Sequence, residues 1–192
     1  MGRGTGTGGA GTAGAAAVTV RRATARDAKR LTRLVRTSRA YEGPYAPMVA
    51  GYRVGPDYIE THQVFVAVAP DAGPTTGAAG PGRVLGFYAL VLDPPELDLM
   101  FVADDAQGLG IGRLLIGHMR DRAREAGIGA VRVISHPPAE GFYRSVGALR
   151  TGTEPARPPA VLWDRPDLVI PVVPGVPGVP GVPLVPGIPA GP

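Results

Sequence analysis

The residues best suited to chemistry form a glycine-rich turn near the middle of the 192-residue chain. An apolar run over residues 97–102 is followed by the acidic residues Asp104 and Asp105, and then a helical pattern begins. The turn between them consists of Gln107, Gly108, Leu109, Gly110, Ile111 and Gly112. A glycine turn between a strand and a helix offers unpaired N–H groups and a positive dipole end to an anion. The sequence therefore predicts a site for a cofactor phosphate.

Three kinds of phosphate site share this arrangement: the nucleotide P-loop, the dinucleotide fingerprint and the CoA loop. A P-loop needs Lys and then Ser or Thr after its last glycine, whereas Gly112 is followed by Arg113 and Leu114. The dinucleotide fingerprint needs the spacing G-x-G-x-x-G, whereas Gly108, Gly110 and Gly112 alternate. That fingerprint also opens a first βαβ unit, and this turn lies deep in the chain. Both nucleotide sites are disfavoured.

The elements that position the turn are predicted from hydrophobic patterning. Thr24, with Asp27 three residues on, has capping-box spacing and begins a first helix. β-Branched and apolar runs predict four strands before the turn, over residues 18–21, 64–69, 83–92 and 96–102. Because the last three of these strands follow one another along the chain, we expect them to form an antiparallel meander.

After the turn, the pattern predicts a helix over residues 110–126 that stops at Gly127. A strand over residues 131–134 follows this helix, so the connection is a crossover and parallel pairing is expected there. The remaining elements are a short helix over residues 139–146 and a last strand or hairpin formed by residues 160–163 and 168–170.

Composition sets the domain limits. Residues 1–16 are rich in Gly and Ala and are predicted to be disordered, because they bury too little apolar surface. Residues 173–192 repeat Pro, Gly and Val as a low-complexity tail. One domain is therefore expected over residues 17–172.

The residue counts exclude several classes of function. With no cysteine, the chain has no disulfide, thiolate zinc site or cysteine nucleophile. A net charge of +4 is too small to argue for nucleic-acid binding. No apolar run is long enough to span a bilayer, and no signal-peptide core is present. We therefore expect a cytoplasmic protein with neither a nucleic-acid nor a membrane partner.

Two further patterns leave alternatives open. Four of the tyrosines lie in the Gly/Pro-punctuated stretch 38–63, where they either line a substrate pocket or pin a loop: Tyr41, Tyr45, Tyr52 and Tyr58. Four arginines lie along one side of the first helix: Arg26, Arg30, Arg33 and Arg36. Such a stripe is typical of a solvated helix face, and the alternative is a surface that binds substrate or nucleic acid.

Two motifs together resemble the Gcn5-related N-acetyltransferase (GNAT) family. The first is Val102-Ala103-Asp104-Asp105-Ala106 followed by the glycine turn and Arg113, similar to the family's Arg/Gln-x-x-Gly-x-Gly/Ala. The second is His136-Pro137-Pro138-Ala139-Glu140-Gly141-Phe142-Tyr143-Arg144-Ser145-Val146-Gly147-Ala148, after the following strand. Asp104, His136 and Ala148 stand where the family usually has Pro, Asn and Phe. The resemblance covers the whole foldable region.

The resemblance implies an α/β (α+β) fold with a mixed, mostly antiparallel central sheet flanked by helices, the acyl-CoA N-acyltransferase (GNAT) fold. It also implies an acyltransferase that uses acetyl-CoA as co-substrate and acetylates a primary amine of a small molecule or peptide by direct attack in a ternary complex. The alternative is a non-catalytic acyl-CoA-binding or sensor domain of the same fold. A homodimer is left open.

The resemblance also assigns site residues. Backbone N–H groups would hold the CoA pyrophosphate, and strand backbone would hold the pantetheine arm. The cofactor-binding residues are then Met100, Phe101, Val102, Gln107, Gly108, Leu109, Gly110, Ile111, Gly112 and Arg113. Tyr143 would protonate the leaving thiolate, or alternatively only pack against the CoA arm. Glu96 is the favoured base, with Asp98 as the alternative, since regular alternation puts both on one face; a solvated strand face explains both equally well. No metal is expected.

Overall fold

The structure is a computed structural model, and it describes residues 18–70 and 82–173. The predicted disordered segment 1–16 lies outside the described residues. So do most of the predicted loop between the second and third strands and most of the low-complexity tail. The domain limits of 17–172 remain a prediction.

Seven strands form one sheet in the order β1-β2-β3-β4-β5-β7-β6. Their bounds are β1 Thr19–Arg22, β2 Gln63–Ala69, β3 Arg83–Leu92, β4 Pro95–Val102, β5 Ala130–Ile134, β6 Leu149–Glu154 and β7 Arg165–Pro171. Each neighbouring pair is antiparallel except β4 and β5, which are parallel. The predicted meander and crossover are therefore confirmed, as is the mixed, mostly antiparallel fold class.

Helices cover both faces of the sheet. They are α1 Ala28–Arg36, α2 Ala46–Ala50, α3 Pro56–Thr61, α4 Ile111–Glu125 and α5 Glu140–Ser145. One core lies beneath α1 and α3 and contains Leu31, Ile59 and Phe87. The other lies beneath α4 and contains Leu115 and Met119. None of the helices within these described ranges is both long and apolar enough to cross a membrane.

The C-terminal strands differ from the prediction. β6 was not predicted, because its residues Leu-Arg-Thr-Gly-Thr-Glu are mostly exposed at the sheet edge and show no apolar alternation. Residues 160–163, which were expected to form a strand, contain only the isolated bridge between Arg157 and Val161. Segment 38–63 holds two short helices, α2 and α3, that each run for less than two turns. That length is too short to produce a readable helical period.

The first helix begins with the predicted capping box. The Thr24 N–H donates to the Asp27 carboxylate at 2.9 Å. Arg21 donates two more hydrogen bonds to the same carboxylate, each at 2.9 Å, and Asp27 is only 3% exposed. These bonds, led by the one from Arg21, hold the pKa of Asp27 below its usual value. Asp27 therefore joins β1 to the start of α1.

We expect Asp27→Ala to lower the free energy of unfolding by about 2 kcal/mol, because the partly buried Arg21 loses its partner and the helix its cap. Urea unfolding at pH 7 measures this loss. Because the folded-state pKa is depressed, this contribution is present above the ordinary Asp pKa and disappears as pH falls through the lower folded value. The exposed Asp57, on α3, is the matched control, and its Ala variant should change stability by less than about 0.5 kcal/mol. Equal effects of the two substitutions would contradict this account.

Candidate functional site

The sheet opens between β4 and β5. These two strands pair at one position only, Glu96 with Arg132. Beyond that pair the strands diverge, whereas on its other side β4 stays paired with β3 as far as Val102. The backbone groups of Met100 and Val102 on the β5 side are therefore available at an internal edge of the sheet.

A cleft of about 430 Å³ lies between this edge and α5. We call it the glycine-loop cleft. Its walls come from β4, the turn before α4, the start of α4, and α5. The lining includes most of the sequence-predicted cofactor residues: Met100, Val102, Gln107, Gly108, Gly110, Ile111, Gly112 and Arg113. The predicted residues Phe101 and Leu109 do not line it: the Phe101 side chain is buried in the α1-side core, and the Leu109 side chain is exposed.

Two glycines give the turn its shape. Gly108 has φ +78° and Gly110 has φ +81°, a left-handed region that glycine adopts without strain. The α4 hydrogen-bond ladder starts with the Leu114 N–H donating to the Gly110 carbonyl. Within the described chain, none of the backbone N–H groups of residues 108–113 donates a hydrogen bond. Six backbone donors at the N-terminus of a 15-residue helix suit a pyrophosphate.

Gly112 has a different constraint. A Cβ at this position would lie 2.9 Å from the Phe142 ring, so the glycine lets α4 and α5 pack closely. Phe142 also lines the glycine-loop cleft. The third glycine of the turn thus makes room for the Phe142 ring.

The polar side chains of the turn are already engaged. Gln107 Nε2 donates to Asp104 at 3.2 Å, and Arg113 donates to the Ser145 carbonyl and hydroxyl at 3.2 and 3.3 Å. Asp104 also accepts the backbone N–H of Arg39. The residue that replaces the usual Pro therefore ties the turn to the segment after α1.

A second cleft of about 270 Å³ lies between β4, β5 and the helices α1 and α2. We call it the carboxylate cleft, because Glu96 and Asp98 line it. It shares Met100, Val102, Gln107 and Tyr143 with the glycine-loop cleft. The structure thus brings both predicted carboxylates and the predicted tyrosine around connected space.

The two carboxylates reach one cleft through a β-bulge at Asp98, and not through the regular alternation expected from the sequence. The register passes from Leu97 opposite Leu90 to Leu99 opposite Ala89, which leaves Asp98 as an extra residue. Leu97 accordingly packs in the α4-side core, and Leu99 packs in the α1-side core. Uninterrupted alternation would place Glu96 on the same face as Met100. The bulge instead turns Glu96 and Asp98 toward the carboxylate cleft.

The two carboxylates have different surroundings. Glu96 lies 4.0 Å from the Arg132 guanidinium; burial raises its pKa, and the charge of Arg132 opposes part of this rise. Asp98 accepts a short hydrogen bond from the Tyr58 hydroxyl. Burial and that bond raise the pKa of Tyr58. Among the described residues, no group of three or more His, Cys, Asp and Glu side chains is placed to hold a metal ion.

Tyr143 lies where the two clefts meet. It is 7% exposed, and burial raises the pKa of its phenol above the ordinary value. Its hydroxyl makes no hydrogen bond with any other residue that the structure describes. The phenol therefore stays protonated at neutral pH and remains available to a ligand.

An aromatic cluster lies against the carboxylate cleft, which two of its members, Tyr41 and His136, line; the sequence did not predict it as a unit. It consists of Tyr41, Tyr45, His136 and Trp163. Tyr41 stacks on His136 with centroids 4.2 Å apart, and Tyr45 meets both His136 and Trp163 edge-on at 4.3 and 4.5 Å. His136 Nε2 bonds the Ala40 carbonyl at 2.7 Å. Of the four tyrosines in segment 38–63, Tyr41 and Tyr52 line the cleft, which favours the pocket interpretation.

Comparison with known families decides the relationship. The acetyltransferase (GNAT) domain model matches residues 61–157, just over half of the chain. The chain belongs to the GNAT acetyltransferase family. This confirms the resemblance carried by the glycine turn and the segment around Tyr143. No curated protein matches the sequence.

Solved structures of GNAT proteins share the fold. A GCN5-related N-acetyltransferase from Rhodopseudomonas palustris gives a TM-score of 0.64 at 15% identity, over 84% of this chain and 99% of that one. The yncA acetyltransferase of Salmonella typhimurium, solved with acetyl-CoA, gives 0.57 at 18% identity, over 82% and 95%. Phosphinothricin acetyltransferase from Sinorhizobium meliloti, in complex with AcCoA, gives 0.57 at 20% identity, over 80% and 88%. The GNAT fold predicted from the sequence is confirmed.

Proposed function

We propose that this chain is an N-acetyltransferase that moves the acetyl group of acetyl-CoA to a primary amine of a small molecule or peptide. The observation that carries the proposal is the meeting of two clefts at Tyr143, one beneath unpaired backbone donors and the other beneath two carboxylates. Family membership and similar structures that hold acetyl-CoA support it. Two adjoining clefts suit direct attack in a ternary complex, in which both substrates are bound at once.

The glycine-loop cleft is the proposed cofactor site. The N–H groups of residues 108–113 bind the pyrophosphate, and the helix dipole of α4 favours its charge. The open edge of β4 binds the pantetheine arm as an added strand would, through the free backbone groups of Met100 and Val102, which flank Phe101. Acetyl-CoA supplies an activated thioester. The backbone of this chain orients that thioester toward the carboxylate cleft.

Tyr143 is the proposed general acid. Its buried phenol holds a proton at the junction of the two clefts, and a thiolate leaving the thioester needs a proton there. No side chain among the described residues competes for its hydroxyl. Glu96 is the proposed base, which takes the proton that the amine nitrogen loses as it forms its bond to the acetyl carbon. Its raised pKa makes it a better base than an ordinary carboxylate.

We expect Gly110→Val to abolish measurable acetyl-CoA binding in calorimetry. A β-branched residue strains a backbone at φ +81° and moves the N–H groups that face the phosphate. Gly117→Val is the matched control, because Gly117 lies on α4 away from the turn and its Cβ would meet nothing within 4 Å. Binding to the Gly110 variant with unchanged affinity would exclude the turn as the pyrophosphate site.

Replacing Tyr143 with Phe should lower kcat by roughly 10²-fold or more while leaving acetyl-CoA affinity unchanged, because only the proton donor is removed. The measurement is release of free CoA over a panel of polyamines, amino acids, aminoglycosides and peptide N-termini. Unchanged turnover in the variant would show that Tyr143 only packs. If the parent binds acetyl-CoA but acetylates nothing in the panel, the chain is the non-catalytic acyl-CoA-binding domain instead.

The pH profile tests Glu96. A base works deprotonated, so kcat/KM should fall as pH drops through the raised pKa of Glu96. Glu96→Gln should abolish this fall of kcat/KM at low pH and should lower the maximal kcat/KM by about 10²-fold. Asp98→Asn is the comparison: if it abolishes the fall at low pH and Glu96→Gln does not, Asp98 is the base.

A further inference from the structure

We propose that the acceptor of this reaction carries an anionic group beside its amine, and that Arg165 binds this group. The favoured substrates are then small zwitterions of the amino-acid type. This inference rests on the proposed function and names the substrate class of the same site.

The first observation is a concentration of unsatisfied donors and acceptors. In the described part of the chain, three buried side-chain nitrogen atoms lack a hydrogen-bond partner: His136 Nδ1, Trp163 Nε1 and Arg165 Nε. His136 and Arg165 line the carboxylate cleft, and Trp163 lies behind this lining, in edge contact with Tyr45 and His136. Burying an unpaired polar atom is costly, so such atoms in one place indicate a ligand that pairs with them.

Their chemistry indicates what kind of ligand this is. Trp163 Nε1 and Arg165 Nε are donors only, and both require an acceptor such as a carboxylate oxygen. The Ala40 carbonyl can only accept, so His136 Nε2 carries the proton and Nδ1 presents a lone pair. Burial lowers the pKa of His136, which keeps the ring neutral. Arg165 therefore supplies the positive charge at this end of the cleft.

Arg165 also lacks a carboxylate of its own. Its nearest ionic partner in the described chain is Glu154, at 3.9 Å. Glu154 already pairs with Arg132 at 3.4 Å and closely with Arg157. A guanidinium whose side chain is 15% exposed and which shares its counter-ion with two other arginines retains charge for a ligand.

The cleft has opposite charges along its length. Glu96 and Asp98 lie on the β4 side, where an ammonium group would enter and lose its proton. Arg165 lies at the start of β7, beside His136. A molecule with an amine and a carboxylate satisfies both ends. The volume of about 270 Å³ is just below the roughly 300–1,000 Å³ found for ligand sites, and this favours a small molecule over a folded protein surface.

The experiment compares L-amino acids with their amides, which differ in the charge of one group. At neutral pH an amino-acid amide has the more reactive amine, so intrinsic reactivity favours the amide. We expect the parent to prefer the acid by roughly tenfold or more in kcat/KM. Arg165→Gln should raise KM for the acid and so lower the ratio of kcat/KM for the acid to that for the amide to one or below. Arg165→Lys should restore part of the preference.

Arg150→Gln is the matched control, because Arg150 pairs with Glu140 at 3.2 Å rather than with Glu154 and is not among the residues that line the cleft; its ratio should equal that of the parent. The inference is overturned if the parent prefers amides, if Arg165→Gln lowers both rates equally, or if only amines without an anionic group are acetylated. Calorimetry with acetyl-CoA distinguishes failure of this inference from failure of the proposed function. If acetyl-CoA binds but the substrate preference is absent, only the inference fails; if acetyl-CoA does not bind, the proposed function fails as well.

Discussion

The structure depends on the separation of β4 from β5 after a single pair of residues. In a sheet, the backbone N–H and C=O groups of a central strand normally form hydrogen bonds with neighbouring strands on both sides. Here β5 diverges from β4 beyond Glu96, so the groups of β4 on that side have no neighbouring strand. The exposed edge is the only reason that backbone at the centre of a sheet can contact a ligand. The glycine turn continues directly from this edge, so the strand and the helix N-terminus present their unpaired groups along one path.

The bulge at Asp98 gives β4 two functions. Before the bulge, Glu96 faces the carboxylate cleft while Leu97 packs under α4; after it, Met100 and Val102 line the glycine-loop cleft while Leu99 packs under α1. A regular strand would have put carboxylates and cofactor-facing residues on one side. Within eight residues of strand, one additional residue therefore takes the two carboxylates off the face that carries Met100 and Val102, which line both clefts.

Sequence reasoning succeeded where the structure is determined by neighbours in the chain. The glycine turn, the Thr24–Asp27 capping box and the meander are local, and each was predicted from spacing. The aromatic cluster was not, because His136 meets Ala40 across 96 positions and no periodicity encodes that contact. The bulge was missed because Asp98 looks like any alternating polar residue. β6 was missed because an exposed edge strand buries no apolar face.

Arg132 explains why two charged groups in the carboxylate cleft remain underpaired. Its guanidinium binds Asp167 through two hydrogen bonds at 2.9 and 2.8 Å, which fastens β5 to β7. That geometry leaves Glu96 with a 4.0 Å contact, too long to offset its burial, so the Glu96 pKa stays raised. Glu154 pairs with three arginines, so Arg165 also lacks a close counter-ion of its own. The ion pairs that hold the C-terminal strands together thus leave one carboxylate and one guanidinium for a ligand between them.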